Sequence, residues 1–170
     1  QGEHAFLYGP SGSGKTTFLG LLAGILPVQQ GSIKILNQDF SKLSGHKRDE
    51  ARGSHIGYIF QMFNLIPYLS VLDNITLPCH LNKTRAARLG QKSLDESARE
   101  LAGHLGLEKL LAKKVTELSV GQQQRVAAAR ALIGAPEIII ADEPTSALDS
   151  DHRAAFIDLL FREANLQKST

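Results

Sequence analysis

The feature that constrains this chain most is a glycine-rich loop at residues 9–17. It fits the pattern G-x-x-x-x-G-K-S/T, in which glycines let backbone N–H groups turn inward around a polyphosphate. The loop therefore predicts a site for a nucleoside triphosphate. Its residues are Gly9, Pro10, Ser11, Gly12, Ser13, Gly14, Lys15, Thr16 and Thr17.

The segments on either side of the loop have the pattern that such a site requires. The apolar run at residues 5–8 predicts a strand, and the apolar spacing at residues 18–25 predicts a helix. The N-terminus of that helix adds its positive dipole end to the loop. Within the loop, Lys15 is expected to reach the β- and γ-phosphates, and the Thr16 hydroxyl is expected to bind Mg²⁺.

The composition is that of an ordinary globular domain, with 42% hydrophobic and 21% charged residues in 170. A net charge of +2 is too small to indicate a nucleic-acid partner or an anionic membrane surface. Cys79 is the only cysteine, which excludes an internal disulfide and suits a reducing cytosol. Since no apolar run is long enough to span a bilayer, any membrane role must involve a partner. A predicted strand at the start and a helix at the end are typical of a segment from a longer domain.

Two further apolar runs predict strands that end in polar residues. Residues 56–60 are followed by Gln61, and residues 138–141 are followed by Asp142 and Glu143. Ligands of open parallel sheets bind outside the carboxyl ends of the strands, so these side chains are expected to meet the glycine-rich loop at one edge. There Asp142 is expected to hold Mg²⁺ opposite Thr16. Glu143 is placed to polarise a water for attack on the γ-phosphate.

The remaining segments predict additional strands, turns and helices. Residues 31–36 predict a strand with turn residues at 37–39, and the charged stretch 41–53 predicts a solvated helix or loop. Residues 62–117 predict a helical insertion between sheet elements. Within it, Ser70 is expected to cap a short helix stopped by Pro78, and an apolar stripe from residue 94 to 105 predicts a longer helix.

Ser119, followed by Gly121, predicts a second helix start that favours an anion. The pattern does not say which phosphate it meets. Because the first helix already serves one nucleotide, this start indicates a second nucleotide or a second subunit.

In combination, these motifs resemble the nucleotide-binding domain of ATP-binding-cassette (ABC) transporters. The resemblance covers nearly the whole chain, in the family's order, and lies in five motifs. These are the Walker A run 9–17, the Q-loop residue Gln61, the signature run 118–122, the Walker B run 138–142 with Glu143, and the D-loop 146–149. Residues 56–78 most resemble the bacterial branch of lipoprotein-releasing, macrolide-exporting and cell-division ATPases.

The resemblance implies an α/β P-loop NTPase with a parallel-sheet core (1–61 and 118–170) and an inserted α-helical subdomain (62–117). It implies Mg²⁺-dependent ATP hydrolysis in a head-to-tail dimer, with each ATP between one subunit's Walker A run and the partner's signature. In that arrangement Ser119, Gly121 and Gln122 contact nucleotide, Gln61 senses Mg²⁺ and the attacking water, and Asp149 links the two sites. The partners implied are a second such subunit and a transmembrane permease subunit that the helical subdomain would contact. The implied location is peripheral, on the cytoplasmic face of the inner (plasma) membrane.

The chain departs from the family pattern at one signature position, where Val120 replaces glycine. A β-branched residue is unfavourable at positive φ, so the exchange predicts a poorer fit to the γ-phosphate. The resemblance further implies that the adenine-stacking aromatic and the switch histidine lie outside this chain. Two alternatives remain at this point: a soluble ABC-type ATPase acting on ribosomes or DNA, and a regulatory nucleotide-binding module.

Overall fold

The computed structural model describes residues 4–146 and 150–170, without the side chains of residues 150–152. Helices predominate, joined by short turns, and the described strands form two small sheets. The helices are α1 (Lys15–Leu22), α2 (Gly45–His55), α3 (Val71–Leu81), α4 (Lys83–Ala87), α5 (Leu94–His104), α6 (Val120–Leu132) and α7 (Ser150–Leu166). The strands are β1 (Lys34–Ile35), β2 (Gln38–Asp39), β3 (Ile56–Ile59) and β4 (Ile138–Ala141).

The parallel pair β3–β4 positions the polar residues that follow the strands. The register aligns Ile56 with Ile138 and Ile59 with Ala141, so both strands finish side by side. The Asp142 N–H donates to the Ile59 carbonyl at 3.0 Å and extends the ladder by one residue. The predicted parallel arrangement of these two segments is confirmed.

The segment at residues 5–8 forms no strand, contrary to the prediction. A strand needs a hydrogen-bonded neighbour, and a groove of about 660 Å³ separates this segment from β4. Phe6 and Tyr8 are consequently exposed. On the edge of β4 opposite β3, beside this groove, the Thr170 N–H donates to the Glu137 carbonyl at 2.8 Å, and the Ile139 N–H donates to the Thr170 carbonyl at 2.7 Å. Thr170 thus lies alongside β4 with parallel hydrogen bonding.

Two other predicted elements differ in extent. The strand predicted at 31–36 reduces to β1, and the expected turn residues Gln38 and Asp39 form β2 instead. The turn itself lies at Leu36 and Asn37, both with positive φ, as a tight hairpin requires. The charged stretch 41–53 is mostly helical, as α2.

Helix α3 continues through Pro78, which was expected to stop it. A proline inside a helix costs about 3 kcal/mol because it lacks the N–H and its ring crowds the preceding turn. Val71, Ile75 and Cys79 form a buried stripe on this helix at a spacing of four residues. Burying that stripe offsets the cost of Pro78, so the helix ends only at Leu81.

Two apolar clusters fill the interior. The larger cluster joins α3, α5, α6 and α7, and the smaller one lies among α1, α2, β1, β3 and β4. The β3–β4 pair lies between the two clusters, because alternate strand residues point to opposite faces: Ile59 and Ile139 belong to the larger cluster, and Ile56 and Ile140 belong to the smaller one. In the part of the chain that the structure describes, no helix combines the length and the apolar character needed to cross a bilayer.

Candidate nucleotide-binding site

The glycine-rich loop leads directly into α1. Gly14 is the N-cap of that helix at φ 88°, and Gly12 has φ 79°. Both angles lie in the left-handed region that glycine adopts without strain. A Cβ at either position would meet open space, so the backbone rather than packing requires these glycines. The loop presents exposed backbone beside a helix N-terminus, as phosphate binding needs.

Lys15 connects this loop to the end of β4. Its Nζ donates to the Gly9 and Pro10 carbonyls at 2.9 and 3.1 Å. The same ammonium lies 3.8 Å from a carboxylate oxygen of Glu143. The cation is therefore held between the loop and the acidic residue after the strand.

Thr16 and Asp142 form the second link. The Thr16 hydroxyl donates to Asp142 Oδ1 at 3.2 Å across 126 positions of sequence. Asp142 is only 5% exposed. A hydroxyl and a carboxylate are hard oxygen ligands of the kind Mg²⁺ prefers, with water and phosphate oxygens completing its coordination. The Thr16 hydroxyl and the Asp142 carboxylate are therefore suitable ligands for the Mg²⁺ that the sequence predicts.

Tyr58 of β3 is a half-buried phenol whose charge would interact with that of Asp142. Burial, with a smaller contribution from the Asp142 charge, raises the pKa of Tyr58 to about 12. The phenol is therefore protonated at neutral pH. The neutral phenol therefore adds no negative charge beside Asp142.

Gln61 and Glu143 meet at the exposed side of the site. Gln61 Nε2 donates to Glu143 Oε2 at 3.1 Å, while the other Glu143 oxygen faces Lys15. Glu143 has φ 46°, a left-handed conformation that non-glycine residues rarely adopt. Such backbone strain persists where the surrounding structure holds it, often at functional sites.

The structure therefore brings five predicted residues from three segments to one place. They are Lys15, Thr16, Gln61, Asp142 and Glu143. The convergence expected from parallel strand ends is present for β3 and β4. The glycine-rich loop joins them through Lys15 and Thr16, although the segment before the loop is not a paired strand.

The signature residues form a separate helix start. The Ser119 hydroxyl accepts from the Gln122 N–H at 3.4 Å, and the Gln122 side chain accepts from the Ser119 N–H at 3.0 Å, as a capping box. Among the described residues, no hydrogen bond or ion pair joins Ser119, Gly121 or Gln122 to the glycine-rich loop. Asp149 lies outside the described residues.

Val120 does not carry the strain that the sequence predicted. It is the first residue of α6 and is not among the residues with positive φ. The β-branched side chain instead occupies an ordinary helical position and is 49% exposed. The structure therefore shows no backbone conflict at this position, and the effect of Val120 on the fit to the γ-phosphate stays a prediction.

Two polar side chains of α6 contact the site although the sequence pattern did not predict it. Gln124 is fully buried and donates to the Pro144 carbonyl, directly after Glu143. Arg130 donates to the Phe63 and Asn64 carbonyls, just after Gln61. The sequence offered no clear signal for them, because α6 carries three glutamines and two arginines, and only packing shows that Gln124 is the buried glutamine.

Comparison with known proteins agrees with this geometry. A family model described as ABC transporter matches residues 1–146. The bacitracin export ATP-binding protein BceA of Halalkalibacterium halodurans is 43% identical over 88% of this chain. The lipoprotein-releasing system ATP-binding protein LolD of Saccharophagus degradans is 36% identical over the whole chain. The chain spans 57% of the length of BceA and 72% of LolD.

A solved structure extends the likeness to three dimensions. MJ0796, a bacterial ABC transporter cassette solved as a dimer, superposes with a TM-score of 0.82 at 37% identity. The match covers 95% of this chain and 69% of MJ0796. A second structure of MJ0796, in a post-hydrolysis state with ADP and Pi bound, gives a TM-score of 0.81. The fold is thus that of a P-loop NTPase, and with its phosphate loop, acidic strand end and helical segment the chain belongs to the ABC transporter family.

Proposed function

We propose that the full-length protein is the ATP-hydrolysing subunit of a membrane transporter. The observation that carries the proposal is the meeting of Lys15, Thr16, Gln61, Asp142 and Glu143 at the ends of β3 and β4. These groups supply the parts that phosphoryl transfer to water requires: a cation for the phosphates, oxygen ligands for Mg²⁺ and a carboxylate base. The names of the matched relatives, which are ATP-binding proteins of export and release systems, favour transport over action on ribosomes or DNA. The presence of a phosphate-binding cation, Mg²⁺ ligands and a carboxylate base in one place favours an active enzyme over a regulatory module.

The residues have distinct roles in this proposal. The backbone of residues 9–17 and Lys15 hold the β- and γ-phosphates, and Thr16 with Asp142 would hold Mg²⁺. Once bound, that ion would neutralise charge on the phosphate oxygens. Glu143 accepts the proton of the attacking water, and Gln61, hydrogen-bonded to it, orients that water. In Glu143 one carboxylate oxygen already faces an amide donor and the other an ammonium, so the orientation of the base is fixed.

The assembly proposed is a head-to-tail dimer. MJ0796 was solved as a dimer, and Ser119, Gly121 and Gln122 lie in a helix start unconnected to the chain's own phosphate loop. In a dimer these signature residues would meet the nucleotide held by the other copy, with Asp149 between the two sites.

The helical segment 62–117 would contact a transmembrane permease subunit. Its exposed apolar residues Met62 and Tyr68, just after Gln61, suit such a contact. The protein would then lie peripherally on the cytoplasmic face of the inner (plasma) membrane.

Replacing Glu143 by glutamine in the full-length protein tests this proposal. The amide keeps the shape of the side chain but cannot accept the proton, so kcat should fall by about 10²-fold or more. ATP binding should persist, because the phosphate loop is unchanged, and ATP should then hold the protein as a dimer. Steady-state ATPase assays, nucleotide titration and light scattering measure the three quantities.

Glu50→Gln is the matched control for this experiment. Glu50 is exposed on α2, and no described side-chain bond involves its carboxylate. The control should hydrolyse ATP at the wild-type rate. Near-normal turnover in Glu143→Gln would remove Glu143 from the role of base, and absence of ATPase activity in the wild type would refute the proposed function.

A further inference from the structure

The turn that follows Gln61 has an unusual backbone. Phe63 and Asn64 are consecutive non-glycine residues with φ 59° and 48°. Asparagine tolerates this left-handed region, but phenylalanine seldom adopts it. The turn contains two internal hydrogen bonds, from the Phe63 N–H to the Phe60 carbonyl and from the Asn64 N–H to the Met62 carbonyl. A conformation of this kind persists only when other parts of the fold hold it.

Arg130 of α6 is the side chain that holds this turn. Nη2 donates to the Phe63 carbonyl at 2.5 Å, and Nη1 donates to the Asn64 carbonyl at 2.6 Å. The guanidinium thus contacts both left-handed residues with its planar fork, a geometry that lysine cannot reproduce. Burial lowers the pKa of Arg130, which means that holding the charged guanidinium in this position has a desolvation cost.

Gln124 of the same helix holds the other side of the site. This side chain is 0% exposed, and its Nε2 donates to the Pro144 carbonyl. Pro144 directly follows Glu143, which has the left-handed φ of 46°. One helix therefore holds both strained segments, the one after Gln61 and the one after Glu143.

We propose that α6 acts as a brace that sets the Gln61–Glu143 hydrogen bond, with Arg130 and Gln124 as its positioning residues. The inference rests on the proposed function, because the pair it positions is the proposed base and its water-orienting partner. The helix also begins at Ser119, so a rigid element joins the signature to both loops. Neither Arg130 nor Gln124 contacts the phosphate loop, and each acts only through the backbone it holds.

Arg130→Gln in the full-length protein tests the brace. Loss of two charged hydrogen bonds should lower kcat by about tenfold or more, while KM for ATP stays within about twofold. Arg130→Lys should recover part of kcat, since an ammonium can still reach one of the two carbonyls. In a Gln61→Ala background, Arg130→Gln should cause no further loss of kcat, because the residue it positions is already absent.

Arg125→Gln is the matched control on the same helix. Arg125 is half-buried and donates to the Leu105 carbonyl at 3.3 Å, away from both loops.

Hydrogen exchange adds a readout independent of catalysis: the Phe63 and Asn64 amides should exchange faster in Arg130→Gln than in Arg125→Gln. If Arg130→Gln does not fold, Arg130→Lys serves in both measurements, with a smaller drop in kcat and a smaller rise in exchange.

Three outcomes would overturn the brace: an unchanged kcat in Arg130→Gln, losses that multiply with Gln61→Ala, or equal exchange in Arg130→Gln and Arg125→Gln. Failure of the proposed function is distinguishable, because it appears as a wild-type protein without ATPase activity. In that case the exchange measurement alone decides whether α6 holds the turn after Gln61.

Discussion

At the scale of single residues, Lys15 makes the contact on which the site depends most. Its ammonium binds two loop carbonyls and lies near Glu143. One positive charge therefore contacts both the phosphate loop and the residue that follows β4. Charge-assisted hydrogen bonds of an ammonium to phosphate are roughly twice as strong as neutral ones. The lysine is therefore expected to contribute more to nucleotide affinity than any single N–H of the loop.

Lys15→Ala should weaken ATP binding by about tenfold or more, because the variant loses the only side-chain cation that the described contacts place in the loop. Titration of the full-length protein with a fluorescent ATP analogue measures the change. Lys34→Ala is the control, since Lys34 is exposed on β1 and distant in sequence from the loop. Equal affinities in Lys15→Ala and wild type would contradict the assignment of residues 9–17 as a phosphate site.

At the scale of elements, the contact between β3 and α6 decides how the site is supported. Gly57 of β3 lies against the end of α6, where a Cβ would come within 2.2 Å of the Ala131 carbonyl oxygen. A glycine is therefore required by close approach of two backbones rather than by its own φ. This approach lets α6, which contacts the segments after Gln61 and Glu143, pack directly on the strand leading to Gln61.

Gly57→Ala should destabilise the protein by about 1–3 kcal/mol, because neither the helix backbone nor the strand can move aside freely. Urea unfolding followed by circular dichroism measures the change. Gly103→Ala is the control: Gly103 lies inside α5 with open space around it, and alanine there should stabilise by up to about 1 kcal/mol. Effects of the same sign in the two variants would show that the close approach at Gly57 is not what requires glycine.

Local sequence predicted the starts of several helices correctly, but it did not predict the end of α3 or the absence of a strand at residues 5–8. The helix starts at Ser70, Ser93 and Ser119 all have capping boxes, since a cap depends on residues three positions apart. The prediction that Pro78 ends α3 was wrong, because burial of the apolar side of that helix outweighs the local cost of the proline. Likewise, residues 5–8 have strand composition but no hydrogen-bonded neighbour.

At the scale of the whole molecule, Arg85 connects the helical segment to the core. It lies on α4, is 3% exposed, and donates to the carbonyls of Ile133, Ala131 and Ile56. Ala131 lies in the last turn of α6 and Ile133 is its C-cap, and carbonyls at a helix C-terminus lack partners within the helix. Burial lowers the pKa of Arg85 to about 10, so the side chain remains charged at neutral pH.

Arg85→Ala should reduce the free energy of unfolding by about 3 kcal/mol, because it leaves buried carbonyls without donors. Thermal and urea unfolding of the full-length protein measure the loss. Arg99→Ala is the control: Arg99 is exposed on α5, pairs only with Asp95, and should change stability by less than about 1 kcal/mol. Similar losses in both variants would contradict the view that burial gives Arg85 its importance.

The chemistry expected at the site could be predicted from the sequence, because that prediction depends on local patterns. A glycine-rich loop before a helix, an amide after one apolar run and two carboxylates after another were sufficient to predict a phosphate and Mg²⁺ site. The same patterns predicted that β3 and β4 lie parallel, which the register confirms. The roles of the individual residues remain predictions that the proposed variants test.

Which of these groups meet, and which contacts hold them in place, depends on long-range packing. Thr16 and Asp142 are 126 positions apart, and Gln61 and Glu143 are 82 apart, so their hydrogen bonds depend on packing of the whole chain. No local pattern predicts the contacts of Gln124 and Arg130 with the segments after Glu143 and Gln61. A polar side chain of this kind finds its partner only after the fold brings a distant carbonyl to it. Packing also decided that residues 5–8 lie across a groove from β4, since strand pairing is a property of two segments and not of one.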